Sequence, residues 1–296
     1  MWRLMKMEQQ LQSDRMTLQL AIPLGVLVLF LLTAPVCAQT NSAKIGRVGC
    51  PNCANDGSPI AQSLQRADEL YAAFRPKDAL AELLRVLELD PENAEALSKI
   101  ARVYIDFGDL IPESTPDWEA KRLKQYQIAE QYARKAVKAD PTVTWGYFYI
   151  AASLGSEATV SPVAKQIDMA GEIRGAIEKA IALDPKNGFA YHVYGIWHRK
   201  MAEIGKASRM FASVIYRRSI PVGSMEKSIE YLNKAVALNP TVIASRLELA
   251  RSYVAVENWS SARNSLVSIR GLPIQFSDDA NNKQKAEELL KEIKER

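Results

Sequence analysis

One short phrase recurs in register along the chain and limits what it can fold into: Leu89-Asp90-Pro91, Ala139-Asp140-Pro141, Leu183-Asp184-Pro185 and Leu238-Asn239-Pro240. Each phrase closes an amphipathic run rich in Ala, Leu, Glu and Lys. Proline has no N–H to donate to a continuing helix, and its fixed φ suits the opening of the next one. Five residues before the proline stands Ala136, Ala180 or Ala235, with Val86 in the first case. Small side chains there let neighbouring helices approach closely. After the proline, Leu97, Ile100, Ala101 and Tyr104 share one helical face. The sets Tyr147, Ile150, Ala151, Leu154, then Tyr191, Tyr194, Gly195, His198, and then Arg246, Leu249, Ala250, Tyr253 repeat it in register. Asp90, Asp140 and Asp184 are expected to cap the helix that follows each of them.

Paired helices that bury their faces on the next pair resemble tetratricopeptide repeats. The fold expected is all-α: a tetratricopeptide-like right-handed superhelix with insertions between paired helices and a C-terminal capping helix. The prolines are 50, 44 and 55 residues apart, against a standard period of about 34. The surplus falls between first and second helices, at Asp109 to Leu123, Ser156 to Gln166 and Ala202 to Pro221. Inserts there leave the hydrophobic seam between repeats intact. An opening unit runs from Pro59 to Pro91 and a last one from Ile243 to Arg270. A final helix from about Asp278 to Glu295 caps the stack with Ala286, Leu289, Leu290 and Ile293.

A narrower resemblance rests on the stretch from Gly188 to Pro240. It comprises Tyr191-His192-Val193-Tyr194-Gly195-Ile196-Trp197-His198, a long insert, and Pro221-Val222-Gly223-Ser224 before a helix that ends at Leu238-Asn239-Pro240. Over roughly Ala61 to the end, the chain resembles the regulator of microtubule dynamics protein family and its bacterial relatives. The resemblance implies a repeat domain with a binding groove, described in that family as microtubule-associated or lipid-handling and often placed behind a membrane segment.

The amino terminus suggests a location. Arg3, Lys6 and Arg15 precede the apolar stretch Leu20 to Leu32, and Val36 and Ala38 have the spacing of a signal cleavage site. Counting Met16 to Ala38 gives 23 residues, so an uncleaved anchor is the alternative. Residues 1–38 are thus a signal peptide or membrane anchor, 39–58 a flexible leader containing Cys50-Pro51-Asn52-Cys53, and 59–296 the repeat domain. The location expected is the periplasm or another extracytoplasmic space, with the apolar segment as an anchor to the inner membrane in the second case. The cysteine pair is expected as a local disulfide or an unused thiol pair. It has no partner pair for zinc and no neighbouring strand for redox work.

The chain carries 38 Lys and Arg against 34 Asp and Glu, without a basic stripe, which argues against nucleic acid. It has no phosphate loop, serine elbow or paired-carboxylate motif, so neither catalysis nor a cofactor is expected. First helices of such repeats line the concave surface. That places Arg102, Trp145, Phe148, Phe189, His192, Arg199 and Arg251 on one face as candidate partner-binding residues, because aromatic and Arg side chains are frequent binding anchors. Two arrangements are open: a groove exposing these residues, or inserts folded back over them. The function expected is a protein- or peptide-binding envelope scaffold, with a lipid or small apolar ligand as the alternative. The insert Lys200 to Arg218 mixes Met201, Ile204, Met210, Phe211, Val214 and Ile215 with five cations, suiting peripheral membrane contact, an acidic partner, or packing on its own repeat.

Overall fold

The computed structural model describes residues 57–296, so the expectations for the signal or anchor segment and for the cysteine leader lie outside the described residues. Within them the chain forms twelve α-helices and no strand. The first three pairs are α1 (Pro59–Ala72) with α2 (Pro76–Leu89), α3 (Ala94–Asp109) with α4 (Trp118–Ala139), and α5 (Thr144–Thr159) with α6 (Val163–Leu183). Next, α7 (Gly188–Glu203) pairs with α9 (Met225–Leu238) around an extra helix, α8 (Lys206–Tyr216). Then α10 (Ile243–Ala255) pairs with α11 (Trp259–Val267), and α12 (Asp279–Glu292) closes the stack on both. First helices α3, α5, α7 and α10 meet in succession along one face, as in a tetratricopeptide superhelix.

The recurring phrase builds the same joint four times. Asp90, Asp140, Asp184 and Asn239 are C-caps whose N–H groups donate to Val86, Ala136, Ala180 and Ala235, residues with no exposed surface. Three residues on, the N–H groups of Asn93, Val143, Asn187 and Val242 donate back to the cap carbonyls at 3.1–3.2 Å. The aspartates do not cap the following helices, correcting the expectation. Asp140 and Asp184 bind backbone N–H groups two residues on, and Asp90 binds the Asn93 side chain. The side-chain caps belong to Asn93 and Asn187, which accept from Ala96 and Ala190. Geometry decides this: a residue four or more positions before the helix cannot reach its N2 or N3 amide.

The inserts take two forms. The first two lengthen second helices, so α4 has 22 residues and α6 has 21, where α2 has 14. The third folds into α8. Its neighbouring loop shows why the stretch before α9 has its pattern. A Cβ at Gly223 would stand 2.2 Å from the His198 carbonyl oxygen, so only glycine lets this loop rest on the end of α7. Ser224 then caps α9 by accepting from Lys227, while its N–H donates to His198 Nδ1 at 3.3 Å.

The core forms three buried clusters, over α1–α3, over α3–α7 and over α10–α12. In the last, Ala286 and Ile293 of the closing segment are buried, with Leu289 and Leu290 packed beside them, which is the expected cap.

Candidate functional site

The first helices bring the predicted aromatics together. α5 presents Trp145 and Phe148, 5.3 Å apart between ring centroids and nearly perpendicular, and α7 presents Phe189 at 5.9 Å from Trp145 and 6.3 Å from Phe148. Tyr149 extends the group, 4.9 Å from Phe148. Edge-to-face contacts of this kind are favoured by the ring quadrupoles. Trp145 and Phe189 keep partial exposure, whereas Phe148 is buried.

This face is partly covered by a segment other than the third insert. Residues 271–278, in the connection from α11 to α12, are non-helical and meet the first helices at Phe276, 6.0 Å from Phe189. The connection is fixed at its far end. Buried Asp279 accepts from the N–H groups of Gln275 and Phe276 at 2.8 and 2.9 Å, and Lys283 donates to the Leu272 carbonyl at 2.6 Å. The charge of Asp278 is felt at His192 on α7 and at Asp106 and Asp109 on α3, so the end of this connection lies on the side those first helices share. The third insert is held away from it: Arg209 of α8 donates to the carbonyls of Met201, Ile204, Ile220 and Pro221, and Arg218 pairs with Asp168 of α6.

The predicted cations are engaged within the fold. Glu248 of α10 pairs with both Arg199 and Arg251, and Arg199, only 6% exposed, also binds Glu203 at 2.9 Å. The two guanidinium groups hold the Glu248 carboxyl below the usual range although burial opposes it. His192 meets Ser245 through Nδ1 at 3.1 Å, and burial lowers its pKa, Arg199 adding to that. Arg102 lies 3.6 Å over the Tyr71 ring and 3.7 Å from Asp68, while Tyr71 donates to Asp106 at 2.5 Å. Burial pushes the Asp106 carboxyl up to about 6, against the Tyr71 hydrogen bond and Arg102.

The predicted set therefore sorts into an aromatic floor of Trp145, Phe148 and Phe189, a polar margin of His192, Arg199 and Arg251 organised by Glu248, and a cluster at Arg102 that joins the floor through Tyr149. Sequence reasoning missed Phe276 and Glu248. The signal for Phe276 was Leu272, Ile274 and Phe276 alternating with Pro273, Gln275 and Ser277, a strand-like period in a stretch too long for a repeat turn. Glu248 left none, since nothing in the sequence distinguishes a carboxylate between two arginines from a solvated one. His198 is 4% exposed against Tyr194, and burial, with Lys227 and Arg174, lowers its pKa to about 4, so it is a neutral packing group. Two shallow depressions, of about 260 and 310 Å³, are lined by Ile269, Arg270, Lys283, Gln284 and Glu287 and by Glu178, Ile181, Tyr191, Tyr194, Tyr231 and Lys234. Neither includes the aromatic floor.

Comparison with known proteins adds three findings. The family model described as regulator of microtubule dynamics protein 1-3 matches residues 63–294. Regulator of microtubule dynamics protein 1 of Mus musculus is 26% identical over 232 residues, covering 78% of this chain and 74% of the relative, and that of Bos taurus is 27% identical over 78% and 71%. A thermophilic tetratricopeptide-repeat protein from Thermus thermophilus superposes with a TM-score of 0.56 at 17% identity, covering 78% of this chain and 98% of the other, a likeness of fold. The curated relatives are animal proteins, from cells without a periplasm, and this overturns the expected periplasmic or extracytoplasmic location and its inner-membrane anchor. Among the described residues no helix is long and apolar enough to cross a membrane.

Proposed function

We propose, from the premise that this chain belongs to the regulator of microtubule dynamics protein 1-3 family, that it is a non-catalytic helical-repeat scaffold holding a non-helical stretch of a protein partner against α5 and α7. Trp145, Phe148 and Phe189 would receive an aromatic anchor. His192, Arg199 and Arg251, preset by Glu248, would form the polar margin, and Arg102 would mark the far end. Residues 59–296 are the binding domain in this reading.

The supporting observation is the non-helical segment 271–278, which sets Phe276 against Phe189 on this face. A surface that takes one non-helical chain with an aromatic residue has the shape and apolarity to take another. The fold points the same way, since stacked repeats offer a long surface. The names of the relatives speak of regulation rather than of a reaction.

The test uses a fluorescent peptide with the sequence of residues 270–279, titrated by anisotropy into the full chain carrying Phe276→Ala. Saturable binding is expected, weakened about tenfold or more, some 1.4 kcal/mol, when the peptide phenylalanine becomes alanine or when Phe189 of the chain becomes alanine. Equal binding of both peptides would remove the aromatic anchor from the account. No binding of either would remove the site.

A further inference from the structure

The third insert presents an inverted helix. In α8 the residues turned toward the protein are Arg209, Ala212 and Ser213, partly buried, whereas Met210, Phe211, Val214 and Ile215 are 62, 64, 72 and 53% exposed. At 100° per residue these four, with Ala207, fall on one arc, opposite Arg209. A surface helix of a globular protein turns such an arc inward. Here the polar side is docked, because Arg209 satisfies four main-chain carbonyls at the end of α7 and in the loop before α9. The apolar arc is thus held outward by its own anchor.

The surroundings indicate what would cover it. Lys200, Lys206, Arg217 and Arg218 stand beside or at the ends of α8, with Glu203 the one acidic residue between positions 200 and 218. Glu203 pairs with Arg199 and lies 3.7 Å from Lys200, and Arg218 meets Asp168, which leaves Lys206 and Arg217 at opposite ends of the helix. An apolar strip bracketed by cations on a helix lying along the protein surface matches the interface of an anionic bilayer, where apolar side chains enter the acyl boundary and cations meet lipid headgroups. A stable protein interface draws on about 20 residues a side, far more than one three-turn helix supplies. A second copy of α8 would bring like charges together.

We propose that α8 is a membrane-surface contact that enters anionic bilayers through Met210, Phe211, Val214 and Ile215. It lies on a different part of the fold from the aromatic floor, so either proposal can fail alone. Hydrogen–deuterium exchange of the full chain, read on segments covering residues 206–216, tests it with vesicles of phosphatidylcholine alone and with about one-third phosphatidylserine. Anionic vesicles should slow exchange in 206–216 several-fold, and the double variant Phe211→Ser, Val214→Ser should lose the protection while exchange in the other helices stays unchanged without vesicles. The side chains replaced are exposed, so the variant keeps the fold. Reading α8 locally also separates its contact from any made by other parts of the chain. Unchanged exchange on both vesicles would overturn the proposal, as would equal protection on the neutral ones or protection that appears without lipid as protein concentration rises, the mark of self-association.

Discussion

Asp106 and His198 show how single groups tie this fold to pH. Burial raises the Asp106 carboxyl from 3.8 to about 6, helped by Asp109 and Asp278. The folded state then holds a proton that the unfolded state has released, and stability falls as pH climbs through that window. His198 works oppositely: its pKa is lowered from 6.5 to about 4, so stability is lost as pH falls across that range. Because the two slopes overlap in the wild-type profile, a substitution separates them. Asp106→Asn keeps an acceptor for Tyr71 and removes the charge, so it should be more stable than wild type by ~1–2 kcal/mol above pH 6, allowing for partial solvent screening. The gain should vanish near pH 3.5 in thermal unfolding; a gain that persists there would place its cause elsewhere. Glu257, just past α10, holds φ at 57°, a left-handed conformation that glycine adopts without the Cβ penalty. Glu257→Gly should raise stability by ~0.5–1 kcal/mol, read from denaturant midpoints.

At the scale of elements, the closest helix contacts depend on particular small residues. Gly223→Ala would drive a Cβ into the backbone of α7 and pull Ser224 from His198, costing ~1–3 kcal/mol. Gly175→Ala in the middle of α6, with nothing within 4 Å of the added carbon, should instead stabilise by ~1 kcal/mol. Matching losses at both positions would mean that the space around the added carbon is not what separates them. The helices themselves were legible because their signals are local: proline after the C-cap, a buried Ala or Val at the fourth residue before it, and an apolar face at 3.6-residue spacing. The inserts were legible as surplus length. Their form was not, since continuing a helix and starting a new one differ by the turn at Ile204 and Gly205. The aromatic floor could be read from position within each repeat. Its cover could not, because Phe276 reaches Phe189 across 87 residues of sequence and no periodicity records that contact. The arginines were correctly placed on first helices, yet their pairing with Glu248 depends on how α7 and α10 approach.

For the whole molecule, the stack of paired helices buries three clusters in succession and turns its first helices to one face, and the connection before α12 then sets Phe276 against that face. A partner that uses the same surface must compete with a segment tethered beside it, whose effective concentration is in the millimolar range for a short link. The periplasmic setting inferred from the leader gave way to animal relatives, but the repeat architecture did not depend on it. The account therefore turns on whether residues 271–278 and an incoming peptide exclude each other. The direct measurement compares the affinity of the labelled 270–279 peptide for wild-type chain and for Phe276→Ala under identical conditions. Competition predicts binding about tenfold or more tighter to the variant, with the circular dichroism of the two chains superimposable; equal affinities would contradict it.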